Sequence, residues 1–370
     1  MLGELSTSEF LRDFWQKKPL LIRNAIPGFE GLLDPDELKG LSFREDVQSR
    51  IVTFEEGKWS LEHGPFGKKD FRRRPGCWTL LVQGVNHFLA EGEKLLRHFD
   101  FIPHARLDDL MVSFAPNGCG VGPHFDSYDV FLLQGMGGRR WQISSNQGRE
   151  LVPDAPLRIL SRFDPEQEWI LEPGDMLYLP PKYAHNGIAL GDSMTYSIGF
   201  RAPSHQELAT QFLVHLQDHF EISGMYEDPD LEAQDHPAEI GRNMLEKVGK
   251  VIDSIRWDEK DVEQFLGLYL SEPKPHLFFD PPSRPLSEKT FLWKIRESGI
   301  HLDLRSQMLF TEDHIFINGE MLSLGHLDRS LLVMLADRRS APEVDTDRDT
   351  ASLLYQWYRE GYIGIGGEIG

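Results

Sequence analysis

His124 and Asp126, one residue apart, together with the distant His185, are the side chains of this chain best suited to hold a reactive metal. On a β-strand successive side chains alternate between faces, so His124 and Asp126 point together while Phe125 points away. A histidine from a second strand then closes one face of an octahedron and leaves three positions open. Two imidazoles and one carboxylate in that arrangement suit a divalent iron doing oxygen chemistry.

The triplet alone does not select the site. It recurs as His98-Phe99-Asp100, His301-Leu302-Asp303 and His326-Leu327-Asp328. His98 follows a helix-like run (Glu93 to Arg97), and His326 sits at a helical start; on a helix, i and i+2 diverge around the axis. His301 could lie on a strand, but nothing around it marks a second ligand. These three read as surface or capping residues.

The surroundings of His124 and His185 differ. Leu110 to Phe114 reads as a buried strand, followed by the glycine-rich loop Pro116 to Pro123. After Asp126, Val130 to Gln134 continues as strand, and Gly135-Met136-Gly137-Gly138 turns a hairpin into Arg139 to Ile143. Downstream, Glu172-Pro173-Gly174-Asp175 is a tight turn and Met176 to Leu179 a short apolar strand. Pro180-Pro181 stops that strand, presenting His185 at a strand mouth.

The elements that carry these residues follow from pattern and composition. At 370 residues the chain suggests two or three domains. From Leu110 to Phe200 short strands alternate with Gly/Pro turns, as in a small barrel or jelly roll. Ahead of it, residues 8–17 read as a helix, Asp34-Pro35 as a helix start, 51–54 and 59–62 as a hairpin, and 85–96 as a helix. Pro203 marks a boundary, and Ser204 to Glu207 has the spacing of a capping box. Helices are expected to about His219, over 237–255 and over 258–270. Their apolar stripes fit oligomerisation or packing within the monomer equally well. Five prolines between Pro273 and Pro285 mark a second shift. Beyond them a hairpin turning at Asn318-Gly319, with helices over 327–338 and 350–360, resembles a winged helix. The expected domains are 1–203, 204–272 and 273–370, in an α+β chain.

Net charge is −20, and residues 201–370 carry 31 acidic against 17 basic side chains. An acidic surface repels phosphates and attracts basic partners, so direct nucleic-acid reading by the C-terminal part is not expected. Cys77 and Cys119 allow at most one disulfide and no zinc-ribbon spacing, which fits a reducing cytosol. The first residues lack the basic and apolar regions of a signal peptide, and Pro75 to Ala90 is too short and polar to span a bilayer. A cytoplasmic protein without membrane attachment is expected.

With these residues assembled, the chain resembles the JmjC-type (cupin) 2-oxoglutarate oxygenases. More narrowly, it resembles the bacterial ribosomal oxygenases that hydroxylate an arginine of a large-subunit ribosomal protein. The stretches that carry the resemblance include Gly57-Lys58-Trp59, His63-Gly64-Pro65-Phe66, Leu81 to His87, Val121 to Phe131, Arg139-Arg140-Trp141, Glu172 to Asp175 and Tyr196 to Pro203. The resemblance implies a double-stranded β-helix (the JmjC jelly roll), a helical dimerisation region and a winged-helix-like domain. It implies Fe(II) on His124, Asp126 and His185, with 2-oxoglutarate and O2 as co-substrates. It also implies a basic residue two before Trp141, namely Arg139, for the distal carboxylate of 2-oxoglutarate; a guanidinium fork suits a carboxylate. Ser113 and Tyr196 are weaker candidates for hydroxyl donors to the co-substrate, and Asp129 and Tyr128 for contacts with a substrate guanidinium. The expected partners are a basic ribosomal protein and a second copy of the chain. A ribosomal histidine hydroxylase, or a catalytically silent cupin serving ribosome assembly, remains the alternative.

Overall fold

Twelve short strands with alternating side chains build two antiparallel sheets in the first part of the chain. They are β1 (Leu20–Ile22), β2 (Ser49–Glu55), β3 (Lys58–His63), β4 (Cys77–Val82), β5 (Leu107–Ala115), β6 (His124–Phe125), β7 (Val130–Gln134), β8 (Gly138–Ser144), β9 (Gln167–Leu171), β10 (Met176–Leu179), β11 (Ala184–Leu190) and β12 (Ser193–Phe200). The large sheet runs β1-β10-β7-β12-β5-β4-β2-β3 and the small one β6-β11-β8-β9. The structure is a computed structural model that describes residues 1–367 apart from 73, 146, 147, 149 and 220.

The large sheet has two unlike faces. Along β12, Met194, Tyr196, Ile198 and Phe200 point into an apolar core, whereas Thr195, Ser197 and Gly199 line a cavity. Along β7, Phe131 and Leu133 join that core, and Val130 and Leu132 face the cavity. The core is sealed by α1 (Thr7–Asp13), α2 (Pro35–Leu41) and α3 (Ala90–Leu96), which contribute Phe10, Leu38, Leu95 and Leu96. Aromatic rings dominate it: Phe131 lies 4.9 Å from both Phe99 and Tyr178, centroid to centroid. Deleting one such ring costs about 3–5 kcal/mol, so the cavity-facing strands are held firmly.

Local signals set the element ends. Asp34 caps α2, accepting from the amides of Asp36 and Glu37 at 2.8 Å, with Pro35 at the first helical position. The β2–β3 hairpin turns at Glu56-Gly57, both at positive φ. The stretch expected as one helix from Val85 is a short 3-10 turn (Val85–His87) followed by α3, because Asn86 turns inward and accepts from the Leu110 amide instead.

The chain forms two compact units. One comprises Met1–Ala202, Pro273–Gln307 and His326–Gly370, described as far as residue 367. Its C-terminal share holds α-helices over Glu288–Ser298, Arg329–Arg338 and Arg348–Glu360, and a small sheet of Ile300–Leu302, Ser340–Ala341 and Ile363–Ile365. It is tied to α3 by Arg339, whose Nε lies 3.0 Å from Glu93. The other unit comprises Pro203–Glu272 and Met308–Gly325. It holds helices over His205–His219, Arg242–Ile252 and Glu259–Ser271, with strands Met308–Phe310, His314–Ile317 and Glu320–Ser323. The turn at Asn318-Gly319 has both residues at positive φ, as a two-residue hairpin of this twist demands. The hairpin residues thus belong with the preceding helices rather than with the rest of the C-terminal stretch. Among the described residues no helix is long and apolar enough to cross a membrane.

Cys77 at the start of β4 and Cys119 in the glycine-rich loop are disulfide-bonded across a sequence separation of 42. In the chain-entropy account a loop of that size restricts the unfolded state by up to about 4 kcal/mol. Cys119→Ser is expected to lower the unfolding free energy of oxidised protein by about 2–4 kcal/mol, measured by urea titration, and dithiothreitol should lower the parent equally. Identical midpoints with and without reductant would remove the bond from the stability account.

Candidate active site

Strand register brings the two histidines together. In the β6–β11 pair His185 lies directly opposite His124, and Ala184 opposite Phe125. The two imidazole rings are 4.3 Å apart, and Asp126 follows immediately, its carboxylate 3.6 Å from His185 Nε2. One ligating atom from each of the three falls within 4.8 Å of the others; among the described residues this is the one such cluster of three or more. Each histidine is oriented by its own backbone: Nδ1–H of His124 donates to Gly122 O at 2.9 Å, and that of His185 to Tyr183 O at 3.1 Å. That fixes the tautomer and leaves both Nε2 lone pairs for a metal. Burial, with His124 adding to it, pushes the His185 imidazole down to about 4, so it is neutral and able to ligate at physiological pH. The other triplets gather no such set: His98 sits in a 3-10 turn, His301 bonds the Gly366 carbonyl, and His326 stands near Asp349 on the surface.

The triad opens into a cavity of about 370 Å³ between the sheets. At its inner end Arg139, on β8, is fully buried, and burial pulls its guanidinium down to about 10. Its NH1 donates to Ser113 Oγ at 3.3 Å and Thr195 Oγ1 at 3.2 Å, while its Nε has no partner. Trp141 Nε1, buried beside it, also lacks an acceptor. A buried cation with only neutral hydroxyls around it requires an anion. The distal carboxylate of a dicarboxylic acid fits this place, and a metal fits the triad at the other end. Gly187 makes room: a Cβ there would come within 2.7 Å of the Trp141 ring and 2.9 Å of Arg139 Nε.

The remaining candidates separate by strand face. Tyr196 is turned into the core, where its hydroxyl accepts from the amides of Leu32 (2.7 Å) and Leu33 (3.0 Å), away from the cavity. Its neighbour Thr195 reaches Arg139 instead. The sequence contained that signal: alternation along Ser193–Phe200 puts the small polar residues on one face and the large ones on the other. Asp129 is also placed elsewhere. It is fully buried and accepts from Tyr178 Oη at 2.6 Å and Gln16 Nε2 at 2.8 Å, so its carboxylate fastens the N-terminal segment to the sheet. Tyr128 does line the cavity, together with Ser197, Asp108 and Asp109, which sequence reasoning had not singled out.

Comparison with known proteins agrees with this geometry. Residues 94–208 match the JmjC domain and residues 254–364 the ROXA-like winged helix. The chain is 35% identical over 324 residues to the ribosomal protein uL16 3-hydroxylase of Escherichia coli (strain K12), covering 87% of each. The chain belongs to the JmjC ribosomal oxygenase family. It is also 34% identical to a probable ribosomal oxygenase of Haemophilus influenzae, over 90% of this chain and 86% of that one. Its fold superposes on E. coli YcfD with a TM-score of 0.84 at 32% identity, covering 98% of both chains. YcfD in complex with cobalt and 2-oxoglutarate gives 0.83, at the same identity and coverage. The family's architecture, a JmjC cupin followed by a winged helix, is therefore that of this chain.

Loss of the Arg139 guanidinium should be felt first by the co-substrate. Arg139→Gln in cobalt-loaded protein is expected to weaken 2-oxoglutarate binding about tenfold to a hundredfold, as charged hydrogen bonds of about 1.5–3 kcal/mol are removed. Tyr196→Phe should leave that affinity within about twofold while lowering the thermal midpoint. Titration calorimetry reads both, and equal losses would place Tyr196 back at the co-substrate.

Proposed function

We propose that this protein is an Fe(II)- and 2-oxoglutarate-dependent oxygenase that hydroxylates the β-carbon of an arginine in ribosomal protein uL16 of the large subunit. The observation that carries this reading is the pairing of a two-histidine, one-carboxylate cluster with a buried, anion-seeking Arg139 in one cavity. A catalytically silent cupin has no need to keep both. The histidine alternative draws on a more distant relative, a bifunctional lysine-specific demethylase and histidyl-hydroxylase that is 24% identical over 56% of this chain.

In this reading His124, Asp126 and His185 hold the iron, and Arg139, Ser113 and Thr195 hold the distal carboxylate of 2-oxoglutarate. When bound, iron and co-substrate supply an oxidant that inserts one atom of O2 into a C–H bond, releasing succinate and carbon dioxide. The protein's own part is placement. Leu132, Trp141 and Val130 supply apolar wall beside the inner end of the cavity, backed by Ile143 in the core behind them. Tyr128, Ser197 and Gln83 give the outer part a polar lining that can hydrogen-bond an inserted side chain, while Asp108 and Asp109 there are already bridged by Lys274, and Asp108 also by Arg201. The acidic chain as a whole draws a basic ribosomal protein.

The three regions then divide the work. Residues 1–202 carry catalysis, the unit of residues 203–272 and 308–325 dimerises the protein, and residues 273–307 and 326–370, which form one unit with the catalytic part, contact protein rather than nucleic acid. The dimer reading rests on the helix Arg242–Ile252, which has no buried residue and exposes Met244, Leu245, Val248, Val251 and Ile252. An apolar stripe of that kind needs a cover, and a second copy provides it. Cytoplasmic location follows from the ribosomal substrate; there, reductants would contend with the Cys77–Cys119 bond.

Two experiments test these assignments. Protein reconstituted with Fe(II) should convert 2-oxoglutarate to succinate and add one oxygen to an arginine of uL16 by tandem mass spectrometry. Changing His124 or Asp126 to Ala should reduce turnover at least a thousandfold, on the order of 4 kcal/mol of lost transition-state stabilisation, whereas His98, His301 or His326 to Ala should leave it within about twofold. Iron-loaded protein that oxidises no ribosomal protein would defeat the reading. Separately, Leu245→Asp with Val251→Asp should halve the mass measured by light scattering after size exclusion; an unchanged mass would place the interface elsewhere.

A further inference from the structure

Two guanidinium groups line the cavity with an Nε that is buried and lacks an acceptor: Arg139 and Arg50. Arg139 has its anion in the co-substrate. Arg50, on β2, has none, and no described residue accepts a hydrogen bond from its side chain or pairs with its charge.

The sheet register shows that the two arginines serve different places. Thr195 pairs with Ser113, Ser113 with Leu81, and Leu81 with Arg50, so these residues form one row across β12, β5, β4 and β2. Arg139 bonds at the Thr195–Ser113 end of the row. Arg50 starts two strand spacings further on, roughly 10 Å from Ser113. It stands instead near Tyr128, acting electrostatically on that phenol, on the part of the wall that also carries Gln83, Asp108 and Asp109. Asp108 and Tyr128 are partly open to solvent, so this is the side from which a protein substrate enters.

We propose that Arg50 is a positioning residue for the protein substrate, donating hydrogen bonds to backbone carbonyl oxygens of the segment that carries the reacting side chain. Among the described residues none accepts from the buried Arg50 Nε, and a substrate segment entering the cavity brings the acceptor. Asp108 and Asp109 on the same wall are already bridged by Lys274 and Arg201, so they do not take up the charge of Arg50, and a main-chain carbonyl is an acceptor that every residue of a bound segment brings. Anchoring the main chain holds the segment at the cavity equally in the bound and reacting states, so losing the anchor falls on KM rather than on kcat. The inference rests on the oxygenase reading above and adds a residue that the metal and co-substrate sites do not use.

Full-length protein loaded with cobalt and 2-oxoglutarate, titrated with synthetic fragments of uL16, tests it. Arg50→Gln should raise the fragment Kd about tenfold or more, while the Kd for 2-oxoglutarate stays within about twofold. With iron, KM for the fragment should rise by a similar factor and kcat by contrast change less than about threefold. Arg50→Lys, which keeps the charge, should recover part of the loss, and it carries the test alone if the glutamine variant fails to fold. An unchanged fragment Kd overturns the proposal. So does a weakened 2-oxoglutarate Kd, which would assign Arg50 to the co-substrate, or a loss that vanishes when the fragment's acidic side chains are amidated. If the unmodified protein hydroxylates and binds no uL16 fragment, the functional reading fails first and takes this inference with it.

Discussion

The site depends on one antiparallel pairing, that of β6 with β11. It lasts two residues, yet it sets His185 opposite His124 and leaves Asp126 at the strand end beside both. Because the side-chain period of a strand is two, a slip of one residue would turn His185 away and bring Ala184 into its place. The pairing is kept in register from the other side, where β11 forms seven successive pairs with β8 from Ala184 to Leu190. That same β8 carries Arg139 and Trp141, so the register that assembles the His124–Asp126–His185 cluster also sets its spacing from the buried guanidinium. The glycine-rich loop completes the constraint: Gly118 donates to Ala189 O, and Ala189 donates back to Cys119 O, holding the chain just before His124 against β11. Gly122, at φ +88°, closes against the Trp59 ring, where a Cβ would collide at 2.7 Å.

The large sheet meets a second demand, that of facing the buried Arg139 of the small sheet with Ser113 and Thr195 while its other side packs an aromatic core. Burying a guanidinium without a partner costs several kcal/mol, and Ser113 and Thr195 offset only part of it. The sheet tolerates this because its opposite face is packed with Phe131, Tyr178, Tyr196 and Phe200, so that strands β5, β7 and β12 cannot relax toward the cavity to relieve it. Thr195 is itself held by Gln134, which donates to Met136 O, Gly137 O and Ser193 Oγ. The hydroxyls facing Arg139 are thus fixed from behind, as a binding site for a small dianion requires.

How much of this was legible in the sequence follows from the period of each element. His124, Asp126 and His185 were readable because a two-residue spacing on a strand and a proline-stopped strand end are local signals. The same rule, applied along Ser193–Phe200, would have chosen Thr195 over Tyr196; a hydroxyl was weighed by type rather than by face. Asp129 misled for a different reason. It is close to the metal ligands in sequence, but its partners Tyr178 and Gln16 come from distant segments, and only tertiary packing could show that its charge was already used. Arg50 was invisible for the converse reason: a lone arginine in a strand carries no mark that its surroundings supply no acceptor. The helix starts at Asp34 and Ser204 were readable from capping residues, and each side chain does accept from the first-turn amides.

Two sets of buried polar groups near the cavity differ in how far they are satisfied. The Asp129–Tyr178–Gln16 network is closed: each carboxylate oxygen has its donor, and the Tyr178 hydroxyl both donates to Asp129 and accepts from the Gln16 amide. A closed network gains nothing from a ligand and would lose its bonds to one, so it serves the fold. Arg139 Nε, Trp141 Nε1 and Arg50 Nε are open, and all three residues line one cavity. Open donors destabilise the free protein, and that cost is recovered only when acceptors arrive, which makes each of them a source of ligand affinity. In the reading proposed above, Arg139 and Trp141 would meet the small co-substrate, and Arg50, two strand spacings along the same row from Ser113, would meet the larger chain, so that one cavity wall divides its open donors between two ligands.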